Sequence, residues 1–263
     1  MQLSDAQLTR YREQGFLALP EFFSTDDTRA MQDEVARLVD QGLLRNTAAG
    51  DGQESLQVVI MWRYSELFRA MPFHPRVAQT AAQIVGDPVM LYMDQILLKP
   101  ARHGIGTNWH QDNHYFKFAD PFKGVGIWVA VHEATRANGT MRLIPGSQGV
   151  AYPHVRDPES DHQMRTYPDA SDEVIVELPA GGVVVFTYNT AHATARNETD
   201  RPRAGYAMHF ANIPAAATAG PNYALDGSQI DYTPGRPGRP FISGPQASGG
   251  MHEYGVDCRS RWD

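Results

Sequence analysis

Apolar residues in the front of this chain recur at helical spacing, and a change to short strand-like runs divides it. From Ser4 to Gln14, and again from Ser24 or Thr25 onward, the pattern is helical. In the second stretch Met31, Val35, Leu38 and Val39 fall three and four positions apart, Asp26 and Asp27 occupy the first turn, and Gly42 lies past the end. Gly15 to Pro20, between them, reads as a short strand. Asn46 to Glu54 is small, polar and Gly-containing and predicts a loop, and a further helix around Val77 to Val85 closes at Gly86-Asp87-Pro88. Strand-like runs then follow at Val89–Lys99, Gly124–His132, Thr140–Ile144, Val174–Leu178, Val183–Tyr188 and Gly205–Ile213. Turn signals such as Asn138-Gly139, Pro145-Gly146 and Ala180-Gly181-Gly182 separate them. Short strands in series with helices only at the front predict a mainly β jelly-roll barrel or sandwich. The helical part covers about 1–88 and the β core about 89–213. The remainder, about 214–263, is rich in Ala, Gly and Pro without sustained period and reads as an irregular segment: a lid, an interface arm or a surface strap.

Composition narrows the partners. A length of 263 residues suits one domain of this class. No run approaches the roughly 18 apolar residues that a membrane span requires. The single cysteine, Cys258, excludes an internal disulfide framework and a cysteine-rich zinc site. Met1 to Arg10 shows neither a secretory pattern nor a lipid-anchor pattern, so a cytosolic protein is expected. A formal net charge of −7 without a Lys/Arg cluster argues against nucleic acid and for a small-molecule partner; it says nothing of oligomeric state.

Candidate chemistry begins at Trp109-His110-Gln111-Asp112. On extended backbone, residues two apart project to one face, so His110 and Asp112 can meet one ion. Such a triplet alone is weak. A facial 2-His-1-carboxylate site needs a third ligand and keeps three positions open, the arrangement that suits non-haem Fe(II). His192, beyond the apolar run Val183–Tyr188, is the candidate, though with ten histidines in the chain a polar residue at a strand end is the bland alternative. Arg203 stands eleven positions further on, opening the next strand. A buried guanidinium can grip a carboxylate through two parallel hydrogen bonds, as a dicarboxylate such as 2-oxoglutarate requires. Arg201, next to Pro202, is the rival for that task.

These residues carry a resemblance. The chain, from roughly Leu3 to Ile213, resembles the phytanoyl-CoA dioxygenase family of Fe(II)/2-oxoglutarate oxygenases. The likeness lies in Trp109-His-Gln-Asp-Asn-His-Tyr-Phe116, Trp128-Val-Ala-Val-His-Glu-Ala-Thr-Arg-Ala-Asn-Gly139, Ile144-Pro-Gly-Ser147, and His192 with Arg203, in that order. It implies a double-stranded β-helix, with His110, Asp112 and His192 as iron ligands and Arg203 as the clamp on the 2-oxoglutarate C5 carboxylate. It also implies that Thr194 helps to hold that carboxylate, and that Gln95 and Trp128 line the cosubstrate pocket. Core packing is an equal reading of Trp128. Gln95, an amide within an apolar run, needs a buried partner whichever role it has. Where the family often has histidine after the Pro-Gly-Ser turn, Gln148 stands here, a departure in a structural turn. Asp112 is present where halogenating relatives carry a small residue, which favours oxygen insertion.

The expected activity is therefore oxidation of a small organic substrate, hydroxylation foremost, with 2-oxoglutarate and O2 consumed and succinate and CO2 released. Two other functions share the residues: a metal-dependent hydrolase or isomerase, and a metal-binding protein without turnover. The first leaves Arg203 and Thr194 unused. Asn113, His114, Tyr115, Phe116 and Phe118 could line the mouth or simply pack. His132 and His209 read as core histidines. Substrate identity does not follow, because fold and cofactor do not set it.

Overall fold

The computed structural model describes residues 2–212 and 233–263. Helices α1 (Asp5–Gln14) and α2 (Thr25–Asp40) each start on a capping box. The Ser4 and Ser24 hydroxyls accept the N–H of Gln7 and Asp27, whose side chains accept the serine N–H groups in return. Strand β1 (Phe16–Leu19) runs between them, entered through Gly15 in the left-handed region at φ 84°, which costs glycine little. Strands β2 (Arg45–Asn46) and β3 (Leu56–Val59) and helices α3 (Glu66–Ala70) and α4 (Pro75–Val85) complete the front of the chain.

The β core follows in order: β4 (Val89–Lys99), β5 (Thr107–His110), the one-turn helix α5 (Asn113–Phe116), β6 (Gly124–Ala130), β7 (Met141–Leu143), β8 (Val155–Arg156) and β9 (Met164–Arg165). Then come β10 (Val174–Ile175), β11 (Val183–Thr187), β12 (His192–Thr194), β13 (Arg203–Asn212) and β14 (Phe241–Ser243). A large antiparallel sheet has the order β1-β11-β6-β13-β4-β3-β2, with β14 also on β4. A smaller sheet has the order β10-β7-β12-β5, and β8 and β9 form a hairpin. The fold is the double-stranded β-helix.

Side-chain alternation in the large sheet explains its two coverings. Val125, Ile127 and Val129 of β6, Val183 and Val185 of β11, and Ala204, Tyr206 and Met208 of β13 join Met31, Val35 and Leu38 of α2 and Val77 of α4 in one core. The alternate positions Trp128, Ala130, Val184, Phe186 and Ala207 join Met141 and Leu143 of the small sheet in a second core between the sheets. Each buried Leu, Val, Met or Phe there contributes roughly 1.5–3 kcal/mol of hydrophobic stabilisation. Gly205 is required by this layering, since a Cβ there would lie 2.5 Å from the Trp128 indole.

Several expectations need correction. The front part is not purely helical, because β3 pairs with β4 along Leu56–Val59, and the expected loop at Asn46–Glu54 begins inside β2. Helices are not confined to the front: α5 follows Asp112 directly, and a turn of helix covers Met251–Tyr254. The strand expected at Gly205–Ile213 starts earlier, at Arg203, and its last residue, Ile213, lies outside the described residues. Of the segment read as irregular, residues 214–232 also lie outside them. The rest is tied to the fold: Phe241 and Ser243 pair with β4, Cys258 enters the core, and the Trp262 indole donates to the Ala70 carbonyl at 3.0 Å. Isolated apolar residues in a Gly/Pro-rich stretch carry no period, so only their partners reveal them.

Candidate active site

His110 ends β5 and His192 opens β12, and antiparallel pairing sets them directly opposite each other with ring centroids 4.1 Å apart. Each imidazole is anchored from behind: His110 Nδ1 lies 2.8 Å from the Asn108 carbonyl and His192 Nδ1 2.9 Å from that of Thr190. A carbonyl only accepts, so Nδ1 carries the hydrogen and the Nε2 lone pairs are left to face inward. Both Nε2 atoms approach Asp112 Oδ1, at 3.7 and 3.8 Å. The three side chains bring their ligand atoms within 4.8 Å of one another. Burial drives the His110 pKa down to about 3 and that of His192 to about 4. Two neutral imidazoles and one carboxylate aimed at a common point suit a divalent cation and leave open positions.

Asp112 reaches that point by a different route from the expected one. Its backbone is helical, φ −58° and ψ −32°, and it heads α5 rather than continuing an extended strand. Gln111 holds this turn. Its side chain donates to the Val150 carbonyl at 2.7 Å and the Asn189 carbonyl at 2.5 Å, and accepts the Tyr152 N–H at 3.0 Å. Its own N–H donates to His154 Nε2 at 3.0 Å. The residue between two ligands is thus tied to the loop that leads into the third. His154 stacks on His114, their centroids 4.3 Å apart, so His114 packs over this support.

A cavity of about 80 Å3 opens beside the triad, between the two sheets. Gln95, Trp128 and Thr194 line it together with His110, Asp112 and His192, as do Gln57, Gln163, Thr107 and His209. Arg203 does not line it. Its side chain is buried behind Trp128, the guanidinium 5.5 Å from the indole, and donates to the carbonyls of Gly139 and Asn138. Arg201, by contrast, is exposed. His132 accepts the Ala204 N–H and is a structural residue, as expected. Phe116 and Phe118 pack on Tyr92 and Tyr188, and the Asn113 side chain closes the turn to Phe118.

The sequence reading missed two polar groups here. Lys99 pairs with Arg203 across β4 and β13, and its buried Nζ donates to Thr194 Oγ1 and the Ile105 carbonyl, both at 2.8 Å, and to the Ala195 carbonyl. Desolvation depresses its pKa well below the ordinary lysine value and lowers that of Arg203 to about 10. The hydrogen-bond partners of these two basic groups among the described residues are carbonyls and the Thr194 hydroxyl, not carboxylates. A buried guanidinium and, beside it, a lysine whose charged form burial disfavours make a pair that a bound anion stabilises, and a dicarboxylate fits. The signal was available: Gln95, Leu97 and Lys99 alternate on one face of β4. Gln57, whose amide donates to Gln95 Oε1, sits on β3, a strand the apolar pattern did not reveal.

A model of the phytanoyl-CoA dioxygenase family (PhyH) matches residues 11–205. The chain belongs to this family. It is accordingly an oxidoreductase of the dioxygenase class that depends on non-haem iron and 2-oxoglutarate. An ectoine dioxygenase of Halomonas elongata is 26% identical over 224 residues, covering 76% of this chain and 68% of that protein. Among solved structures, the 2-oxoglutarate-dependent epimerase SnoN from nogalamycin biosynthesis superposes with a TM-score of 0.72 at 22% identity, covering 91% and 98% of the two chains. EctD from S. alaskensis, with 2-oxoglutarate and 5-hydroxyectoine, superposes with a TM-score of 0.68 at 18% identity, covering 95% and 87%. These two likenesses bear on the fold. Among the described residues, no helix of this family member is long and apolar enough to cross a membrane.

Proposed function

We propose that this family member hydroxylates, or otherwise oxidises, a small polar organic molecule, with His110, Asp112 and His192 as the iron ligands and the Arg203–Lys99 end of the site as the seat of 2-oxoglutarate. One observation carries the reading. Nε2, Nε2 and Oδ1 converge beside a cavity whose Thr194 hydroxyl leads to two buried basic side chains, Lys99 and Arg203, without a carboxylate partner among the described residues. A metal hydrolase has no use for those side chains; a chelating dicarboxylate does.

When bound, iron and 2-oxoglutarate supply O2 activation and the oxidising equivalents, releasing succinate and CO2. The chain's own residues do the rest. The carbonyls of Asn108 and Thr190 hold the two imidazoles in their Nδ1–H form, and Gln111 holds the Asp112 turn. Thr194, oriented by Lys99 and by the Thr107 N–H at 3.0 Å, offers its hydroxyl at the cavity wall. Trp128 presents one face to the Arg203 guanidinium and keeps it from solvent.

The lining supports a compact polar substrate over a long acyl thioester. Gln57, Gln95 and Gln163 put three amide side chains on a cavity of about 80 Å3. The similarity to an ectoine dioxygenase points the same way. The test is O2 uptake and succinate release with Fe(II) and 2-oxoglutarate, run over panels of small zwitterions, amino acids and CoA thioesters. Stimulation by the first two classes is expected. Absence of any dependence on 2-oxoglutarate would sink the reading.

A further inference from the structure

Asp112 uses one oxygen toward the two imidazoles, and the other, Oδ2, points away from them. That second oxygen is buried and has no hydrogen bond. Nδ1 of His209 lies 3.5 Å from it. This nitrogen, too, is buried without a hydrogen-bond partner. His209 is 3% exposed, and its ring is fenced by Phe116, Tyr188 and Phe186 at centroid distances of 5.2, 5.8 and 6.5 Å. It has little freedom to turn elsewhere. Strand β13 shifts register against β4 immediately after it, between His209 and Phe210, an irregularity of the kind that re-aims a side chain.

A buried acceptor and a buried potential donor facing each other without other partners are half of an interaction, since each costs free energy while unsatisfied. We infer that His209 is a positioning residue, whose Nδ1–H donates to the outer oxygen of Asp112 and holds that carboxylate to one-oxygen ligation of the metal. The consequence is chemical. A carboxylate whose second oxygen is free can swing to chelate a cation with both, occupying one of the three positions that the cosubstrate and O2 require. A donor on the outer oxygen prevents this and fixes the carboxylate plane. His209 is not a ligand itself, because the carboxylate stands between it and the imidazole pair.

This inference rests on the proposed metal triad, and the tests separate the two. Co(II) serves as the probe, with affinity read by calorimetry and geometry by its visible spectrum. His209→Leu removes the donor at similar bulk and should weaken Co(II) binding by about 10- to 100-fold, the usual cost of losing a partner behind a ligand, with an altered spectrum. His209→Asn, whose amide N–H sits near the position of Nδ1, should restore affinity and spectrum to near wild type. If both variants bind Co(II) like wild type, the inference fails while the triad stands. If Asn is as impaired as Leu, the residue acts through packing and the inference fails likewise. No Co(II) binding by the wild type overturns the triad itself. Should His209→Leu not fold, 15N NMR of the wild-type Zn(II) complex decides. Nδ1 must carry the hydrogen, and an Nε2–H tautomer of His209 rules out donation.

Discussion

The carboxylate clamp admits a quantitative test through Arg203→Ala with Arg201→Ala as its control. Arg203 is 1% exposed, and its only hydrogen-bond acceptors among the described residues are the Asn138 and Gly139 carbonyls. Its charge therefore stands without a carboxylate partner among the described residues, behind Trp128 of the cavity wall, and a cosubstrate carboxylate reaching that end would complete it. Removing one partner of a buried charge-assisted pair costs about 2–5 kcal/mol, roughly a 30-fold to several-thousand-fold weakening. Lys99 remains nearby and keeps part of the positive field, which favours the lower half of that range. Arg201 is exposed, and a surface charge is worth about 0–1 kcal/mol. The assay is the apparent KM for 2-oxoglutarate from succinate release, with circular dichroism to show that the variant folds. Arg203→Ala should raise KM at least about 30-fold and Arg201→Ala should leave it unchanged. An equal effect from both, or a larger one from Arg201, would refute the assignment and move the anchor two residues upstream.

Three further expectations follow from the site. His110→Ala or His192→Ala should abolish Fe(II) binding by calorimetry and all turnover while the circular dichroism spectrum is kept, and Asp112→Ala should also stop oxidation; wild-type succinate production by either histidine variant would contradict the triad. Gln111→Leu should lower stability by about 2–4 kcal/mol, because it removes three hydrogen bonds, from the Gln111 amide to the Val150 and Asn189 carbonyls and from the Tyr152 N–H to Gln111, and should weaken metal binding as well. Stability of the metal-free protein should rise with pH between about 4 and 6.5. Burial depresses the pKa of His74, His110, His114, His132, His154, His192 and His209, so the unfolded chain takes up protons there before the folded one does. Their contribution is present above about 6.5 and lost as pH falls toward 4. Asp94, buried and raised to about 6, acts oppositely, losing its contribution as pH rises through 6. Asp94→Asn should therefore steepen the pH dependence of the melting temperature, and a flat profile in the wild type would contradict the reasoning.

Local pattern determined much of this protein. Apolar, strand-like runs bounded by turn signals located β4, β6, β11 and β13, and a helical pattern, with apolar spacings of three and four in the second stretch, located α1 and α2. Chemistry at fixed spacing, supported by the family motifs, picked out His110, Asp112 and His192, and the structure brings their ligand atoms together. What only the tertiary structure decided are the properties that depend on partners distant in the chain. Strand β3 is four residues long and exists because β4 pairs with it, and β14 exists for the same reason. Asp112 turns inward from a helical, not extended, backbone because Gln111 finds acceptors at Val150 and Asn189. Lys99 and Arg203 share a buried end of the site because the β4–β13 register sets them opposite each other. His209 reads from the sequence as one core histidine among several, and only the fold aims it at Asp112. A residue's own neighbours fix its backbone preference, but burial, partners and electrostatic surroundings come from whichever strand the register lays beside it.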